Sequence, residues 1–445
     1  MKFTCEKYLL QSACTIASRA AAGKSPIPAL EGLLIKADDK ITITGYDLKK
    51  GIYTGIEADV AERGSIVVGA RLFGEMIRRM PDGIVSVTVD EKDNVNIKCG
   101  KSEYNIIGIS PDDYPEMPKF DAVNNISLPQ NILKSMINQT IFAVSTDDIR
   151  PIYTGTLFEI EGDELTLVSV DGYRLAKRTE KLESSKLENC SFVVPGSTLS
   201  DVEKICADED APVSISVGEK HISFAIGDTV VVSRRLEGEF LNYRRSIPES
   251  FKYELKVDRG ELMSVIDRVS LIVSEKNTSP VRITFNDGSI DCVCVTPIGR
   301  ADDVCTCDGN GEGLMVGFND RYLKDALKAA GKDELFVCVN TASSPCVIKA
   351  ADGTENFTYM VLPVRLHAEG WEKKKMEKIA IDTEFIKLDS LLKFAAAVGT
   401  GGEAKFVINE GLVFVNGEVC TQRGKKLHPG DKVDFQGMSF EVVKE

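Results

Sequence analysis

The chain repeats itself three times, and that limits what it can fold into more than any other feature. Strand-like ends reading IVVG, FVVP and LMVG each run into a helix-forming stretch, and the turning points Gly69, Pro195 and Gly317 lie 126 and 122 residues apart. Each stretch goes on in the same order of apolar, variable, acidic and apolar residues: Phe73-Gly74-Glu75-Met76, Leu199-Ser200-Asp201-Val202 and Leu323-Lys324-Asp325-Ala326. The third copy reaches that point two residues later. A second landmark keeps step. Phe3, Leu128 and Val257, 125 and 129 residues apart, each close a short strand pattern before an amphipathic run. A fixed period of this kind is the signature of one architecture copied in tandem.

Within the first copy, Leu9, Ala13, Ile16 and Ala20 recur at the helical spacing of three or four. Alternating strand patterns lie between the two helices of each copy, as in LLIKADDKITITGYDL, TLFEIEGDELTLVSVDGYRLA and VRITFNDGSIDCVCV. More strands follow the second helix, as in VSVTVDEKDNVNIKCG and VSISVGEKHISFAIG. The expected fold is α+β: three units of about 120 residues, antiparallel sheets with two helices per unit. The domains read as 1–120, 121–248 and 249–366. Residues 367–378, HAEGWEKKKMEK, are charged and poor in apolar groups and read as a linker. From Ile379 to Glu445 the pattern changes to a small separate domain. There Asp389 is placed to cap a helix over SLLKFAAAV, GGEAKFVINE gives a second helix stopped by Gly411, and Asn416-Gly417 marks a type I′ hairpin.

Composition narrows the function. The three histidines, His221, His367 and His428, are far apart in the sequence, which speaks against a histidine triad or a multi-histidine metal site. There is no GxxxxGK[ST] or GxGxxG segment to cradle phosphates, so no enzymatic activity and no cofactor are expected. The twelve cysteines are scattered, as in a reducing compartment. Cys292, Cys294, Cys305 and Cys307 lie close in sequence, but the spacing suits small core residues better than a metal site, and none is assigned. No run approaches the ~18 apolar residues of a membrane helix. MKFTCEKYLL lacks the features of a signal peptide, so a cytoplasmic location without membrane contact is expected.

Charge is unevenly distributed. The six repeat helices, taken as 5–24, 70–80, 130–146, 197–207, 261–277 and 319–332, carry +5, so the rest of a chain of net charge −14 carries −19. The candidate DNA-facing residues among their basic side chains are Arg19, Lys24, Arg71, Arg78, Arg79 and Lys134 in the first three helices. Lys204, Arg268, Arg321, Lys324, Lys328 and Lys332 lie in the others. If the helices share a surface, that surface attracts a polyanion while the remainder repels it; otherwise these are ordinary solvated helix faces.

The threefold repeat, the opening MKFT, and the segments DIRPIYTG (148–155), SVDGYRLA (169–176), NYRR (242–245) and YMVLPVRL (359–366) resemble the bacterial sliding clamps. These are the β subunits of DNA polymerase III. The resemblance implies a homodimeric ring with helices lining the hole, held on duplex DNA by topology rather than sequence readout. It implies processivity as the function, with the polymerase III catalytic subunit, the clamp loader and other proteins bearing a clamp-binding motif as partners. They would dock a short peptide in a cleft between the second and third domains. The matching cleft positions are Arg150, Ile152, Tyr153, Val170, Gly172 and Tyr173, then Arg174, Leu175, Leu241, Ser246, Tyr322 and Ser344, and finally Cys346, Met360, Leu362, Pro363 and Val364. Residues 379–445 resemble the α-L RNA-binding fold, which implies RNA as a further partner and Lys393, Lys405, Arg423, Lys425 and Lys426 as candidate contacts. With eight basic against ten acidic residues this segment nets −2, so a protein-docking or vestigial role stands beside RNA binding. An alternative function for the chain is an RNA-binding regulator that acts through this tail.

Overall fold

The structure is a computed structural model that describes residues 1–182, 189–273, 279–353, 356–366, 377–395, 397–435 and 438–444. It divides into two compact units, residues 1–365 and 366–445.

In the first unit each copy carries two helices: α1 (Lys7–Ala17) and α2 (Ala70–Arg79), α3 (Gln130–Asn138) and α4 (Gly196–Ile205), α5 (Arg259–Val269) and α6 (Asp320–Ala329). The two halves of a copy exchange their first strands. In the first copy Lys2–Glu6 pairs with Ile84–Val89 of the second half, and Gly64–Gly69 pairs with Gly32–Ala37 of the first. Strand alternation then points Phe3, Ile35, Ile43, Val87 and Ile97 inward onto Leu10 of α1 and Phe73 and Ile77 of α2. Asp258 caps α5 through the Glu261 amide (2.7 Å), and Asn319 caps α6 through the Arg321 amide (3.0 Å).

The helices are shorter than the periodicity suggests. Three of them pass into single 3₁₀ turns, Ser18–Ala20, Ile141–Ala143 and Ser270–Ile272, which keep a near-helical spacing of apolar residues without continuing the helix. Lys24 therefore lies in a loop before Pro26 and Pro28, and Lys332 lies beyond α6, which ends where Ala330 turns extended. Residues 274–278 of the expected fifth helix are outside the described residues.

Sheets run across the copies. An eight-stranded sheet joins copies one and two where Lys50–Ile56 pairs antiparallel with Thr229–Arg234. A ten-stranded sheet joins copies two and three where Arg174–Lys181 pairs antiparallel with Asn356–Val361. Both junctions use the fourth strand of one copy and the last strand of the next. Both also carry a charge latch spanning 151 residues: Lys50 reaches Asp201 of α4, and Arg174 reaches Asp325 of α6 at 2.5 Å. At the first junction Arg19 also lies 3.6 Å from Asp201, and the Thr54 and Thr229 hydroxyls share a buried hydrogen bond of 2.8 Å.

The second unit is a five-stranded sheet in the order Glu377–Ile381, Met438–Lys444, Lys432–Phe435, Val413–Val415, Glu418–Val419, with α7 (Leu388–Phe394) and α8 (Gly401–Asn409) packed on it. Its first strand begins at Glu377, so two residues assigned to the linker belong to the sheet; residues 367–376 are outside the described residues. Asp389 is not the cap of α7. It lies inside the first turn, buried, and its carboxylate accepts from Arg423 Nε at 2.9 Å. Asn416 and Gly417 both have positive φ, 54° and 85°, as a type I′ turn requires. Among the described residues no helix is long and apolar enough to cross a membrane.

A candidate peptide groove and a basic helical face

At the junction of copies two and three the sheet is apolar on both faces. One face packs on the helices. The other carries Leu157, Val168, Val170, Leu175, Cys338, Val347 and Met360, which form a separate apolar cluster. Two segments lie over it: the 3₁₀ turn Pro151–Thr154, with Ile152 and Tyr153, and the connection through Leu236, Phe240, Leu241, Tyr243 and Ile247. That connection is held in place by charge. Tyr243 donates to Glu159 Oε2 at 2.6 Å, and Arg244 donates to both Glu159 oxygens at 3.1 and 2.6 Å. Burial and this carboxylate together push the Tyr243 hydroxyl far above the ordinary phenol range, so it stays a donor.

Of the residues singled out from the sequence, the cluster gathers Ile152, Tyr153, Val170, Leu175, Leu241, Met360 and Leu362. Val170, Leu175 and Met360 are only 3, 2 and 6 % exposed, so they form the floor. Ile152, Tyr153, Leu241 and Leu362 are half-buried and line the opening. Phe240 meets Tyr153 edge-on (5.5 Å) and belongs with them; an apolar pair inside the loop GEFLNYRRSIP was its only trace in the sequence.

The turn Asp171–Arg174 forms one end. Gly172 has φ +91°, and the Asp171 carboxylate accepts from the Tyr173 and Arg174 amides at 2.9 and 3.0 Å. This swings the exposed Tyr173 ring over Tyr322 at 6.0 Å. Arg174 lies beneath, between Asp171 and Asp325, with its guanidinium 4.6 Å from the Tyr322 ring and 5.4 Å from Phe142. It is a wall element, with Nε committed to Asp171 and Nη1 to Asp325. Val364 closes the far side with its amide on the Gly317 carbonyl (2.8 Å), after Pro363. Arg150 is exposed at the start of the Pro151 turn, and Ser246 and Ser344 are half-buried in turns of their own.

Cys346 does not belong to the groove. It packs with Leu262, Ile266 and Phe285 in the core of the third copy, because alternation along Cys346–Ala350 turns it to the helix side, and burial pushes its thiol strongly up. Cys292, Cys294 and Cys305 are likewise buried. Cys294 stands opposite Ala301 and Cys305 opposite Ile290, so the two pairs do not face each other.

On the helices, Arg71, Lys204, Arg321 and Lys328 are exposed, and Lys24 is exposed on its loop. The other basic positions are held. Arg78 and Arg79 share Glu75 (2.7 and 3.1 Å), Lys134 meets Asp208 (3.0 Å), and Arg268 meets Asp303 (2.5 Å). Lys324 meets Asp320 (2.8 Å), and Lys332 lies 3.6 Å from Asp352. The side opposite Phe73 and Ile77 on α2, and opposite Leu323 and Leu327 on α6, is thus the basic one. In the second unit Lys393 and Lys405 are exposed, Lys425 is half-buried, and Lys426 lies 4.1 Å from the Phe385 ring. Arg423 is committed to Asp389.

Family comparisons agree with this architecture. Residues 1–118, 127–242 and 244–365 match the N-terminal, central and C-terminal domains of the DNA polymerase III beta subunit, and 379–443 match the S4 domain. The chain is 31% identical over 378 residues to a beta sliding clamp of Staphylococcus aureus, spanning 82% of this chain and all of that one. It superposes on a DNA polymerase sliding clamp of Bacillus subtilis with TM-score 0.79 and 32% identity, covering 82% of this chain and 100% of that one. A DNA polymerase III beta subunit of Eubacterium rectale gives TM-score 0.78 and 33% identity, covering 82% and 99%. Three tandem copies, their shared sheets and these matches together make the chain a member of the DNA polymerase III β sliding-clamp family, with an S4 domain appended at residues 379–443.

Proposed function

We propose that two copies of residues 1–365 close head to tail around duplex DNA, with the exposed basic side chains of α1–α6 turned toward the phosphates. The groove at the second junction then receives short apolar-aromatic peptides of the replicative polymerase, the clamp loader and other DNA-processing proteins. One observation carries the assembly. Among the described residues, two strand segments in this unit have an open edge of the kind that pairs at the internal junctions: the last strand of copy one, Ser102–Ile107, and residues 299–306 of copy three, which stand where Lys50–Ile56 and Arg174–Lys181 stand in the other copies. Joining them between copies removes both edges. A ring holds DNA without tight contact, so affinity for linear duplex should be weak and fall steeply with salt. For the S4 unit, its fold and its exposed lysines support contact with RNA, and its net charge of −2 favours weak binding.

The test is topological. Loaded onto nicked circular DNA, the protein should persist and then leave when the circle is cut once. Retention on the linearised molecule at moderate salt would sink the ring. For the groove, Met360→Asp with Leu362→Asp should abolish polymerase binding and leave the dimer mass unchanged.

A further inference from the structure

The first helix of copy one carries a side chain that the repeat does not ask for. The second residue of the first helix is Tyr8, Asn131 and Gly260 in the three copies. Asn131 turns back to its own copy and donates to Asp210 at 2.8 Å, and Gly260 has no side chain. Tyr8 is 65 % exposed and lies outside the buried stripe of Leu10, Ala13, Cys14 and Ala17. A single exposed ring needs no explanation by itself. Its surroundings supply one.

Tyr8 lines a cleft of about 610 Å³ between α1 and α4 of the next copy. Half-buried Ile16 and Ile205 give the cleft its apolar part, and Gln11, Ser12 and Thr15 bring amide and hydroxyl groups. The Thr15 hydroxyl donates to the Gln11 carbonyl (2.8 Å), which leaves the Gln11 amide and the Ser12 hydroxyl to meet a ligand. Three cations line the cleft, Lys7, Arg19 and Lys204, against one carboxylate, Asp82. Asp82 holds Lys7 (3.1 Å), and Arg19 lies 3.6 Å from Asp201. Lys204 is exposed, and its ammonium meets the neutral Ser200 hydroxyl (3.2 Å), which leaves its charge uncompensated.

An aromatic face, groups that can pair with base edges and a surplus of positive charge suit a nucleotide whose base is free. They do not suit duplex DNA, which offers a helix face its phosphates and sugars and keeps its bases inside the stack. We infer that the cleft between α1 and α4 binds single-stranded DNA, with an unpaired base stacked on Tyr8 and a neighbouring phosphate on Lys204. This rests on the ring proposed above, in which this side of α1 faces the hole, and gives that ring a second mode of contact. Duplex passes through held loosely by charge, whereas an unpaired strand beside it is gripped by stacking.

The experiment uses the full chain and an end-labelled oligothymidylate about 15 nucleotides long. By fluorescence anisotropy at low salt, Tyr8→Ala should weaken its binding about tenfold, the loss expected for one stacked base. Tyr8→Phe should bind as the unmodified chain does, because the ring suffices. Lys204→Gln should flatten the salt dependence. A blunt duplex of the same length should bind the unmodified chain and Tyr8→Ala alike. An abasic oligonucleotide of the same charge should bind the unmodified chain no better than oligothymidylate binds Tyr8→Ala. Photo-cross-linking with a bromodeoxyuridine oligonucleotide, read by mass spectrometry, should label Tyr8. A loss in Tyr8→Phe as large as in Tyr8→Ala would mean a hydroxyl bond to phosphate, and an equal loss for duplex would mean an ordinary duplex contact; either overturns the inference. So does the absence of oligothymidylate binding, or full binding by Tyr8→Ala with cross-links at Tyr153 or Tyr173 of the groove. The oligonucleotide is too short to be held by topology, so these outcomes are independent of ring closure, whose failure shows instead in retention after the circle is cut.

Discussion

Arg174 matched a peptide contact by resemblance, yet the structure gives it a wall to hold. Replacing it with alanine removes two charge-assisted hydrogen bonds, Nε to Asp171 (2.9 Å) and Nη1 to Asp325 (2.5 Å), and the stack on Tyr322 and Phe142. Taking one member from a buried pair costs about 3–5 kcal/mol. Two facts hold the loss to the low end. Asp325 is about a third exposed and can regain water, and Asp171 keeps the backbone amides of residues 173 and 174. The expected loss is therefore about 3 kcal/mol at this junction, with Arg174→Lys in between because an ammonium cannot serve both acids in a fork. The assay is amide exchange in the full chain. Protection in Arg174–Lys181 and Asn356–Val361 should fall by about 150-fold, while Lys50–Ile56 at the other junction should be untouched. If protection is unchanged in the variant and only peptide affinity falls, then Arg174 is a ligand contact and the latch argument is wrong.

Thr54→Val or Thr229→Val alone should cost about 1–2 kcal/mol by leaving a buried hydroxyl without its partner, and the double variant should recover most of it; urea midpoints decide. Burial pushes the Cys292, Cys305 and Cys338 thiols up to about 12, so at pH 8 the folded chain keeps them neutral and enclosed. Maleimide labelling read by mass spectrometry should then modify the half-buried Cys190 and Cys307 first, and early labelling of Cys292 would contradict the buried core. Asn416→Ala loses the side-chain bonds to Asp431 (2.8 Å) and the Lys432 amide (2.9 Å) and strains a left-handed turn, which should cost the S4 unit about 2 kcal/mol in thermal melting and leave the dimer mass unchanged.

The triplication was legible because Gly69, Pro195 and Gly317 punctuate the chain at a near-constant interval, and period located the first helix but set its face one residue off: Leu10, Ala13, Cys14 and Ala17 are buried, while Leu9 and Ile16 are half-buried. Helix ends were not. Arg19, Phe142 and Leu271 sit in 3₁₀ turns whose spacing imitates a further helical turn. The groove became visible through the resemblance, since alternation marks Met360 and Cys346 equally as inward residues and cannot say which face of the sheet is inside. The latches were out of reach from pattern alone. Nothing local links Lys50 to Asp201 or Arg174 to Asp325 across 151 residues; only the shared fold does.

Joining copies by unlike strand edges makes the assembly a question of accumulated angle. A head-to-tail contact gives a ring only when its rotations add up to one full turn, and otherwise winds into an open filament. In a two-chain ring of six domains each junction must turn the strip by a sixth of a circle on average, and each internal junction counts twice. The crossing at Arg174 and Asp325 therefore sets whether distant ends meet, although it touches neither of them. A substitution there that changes the bend by a few degrees, without unfolding anything, would turn a closed loop into a spiral.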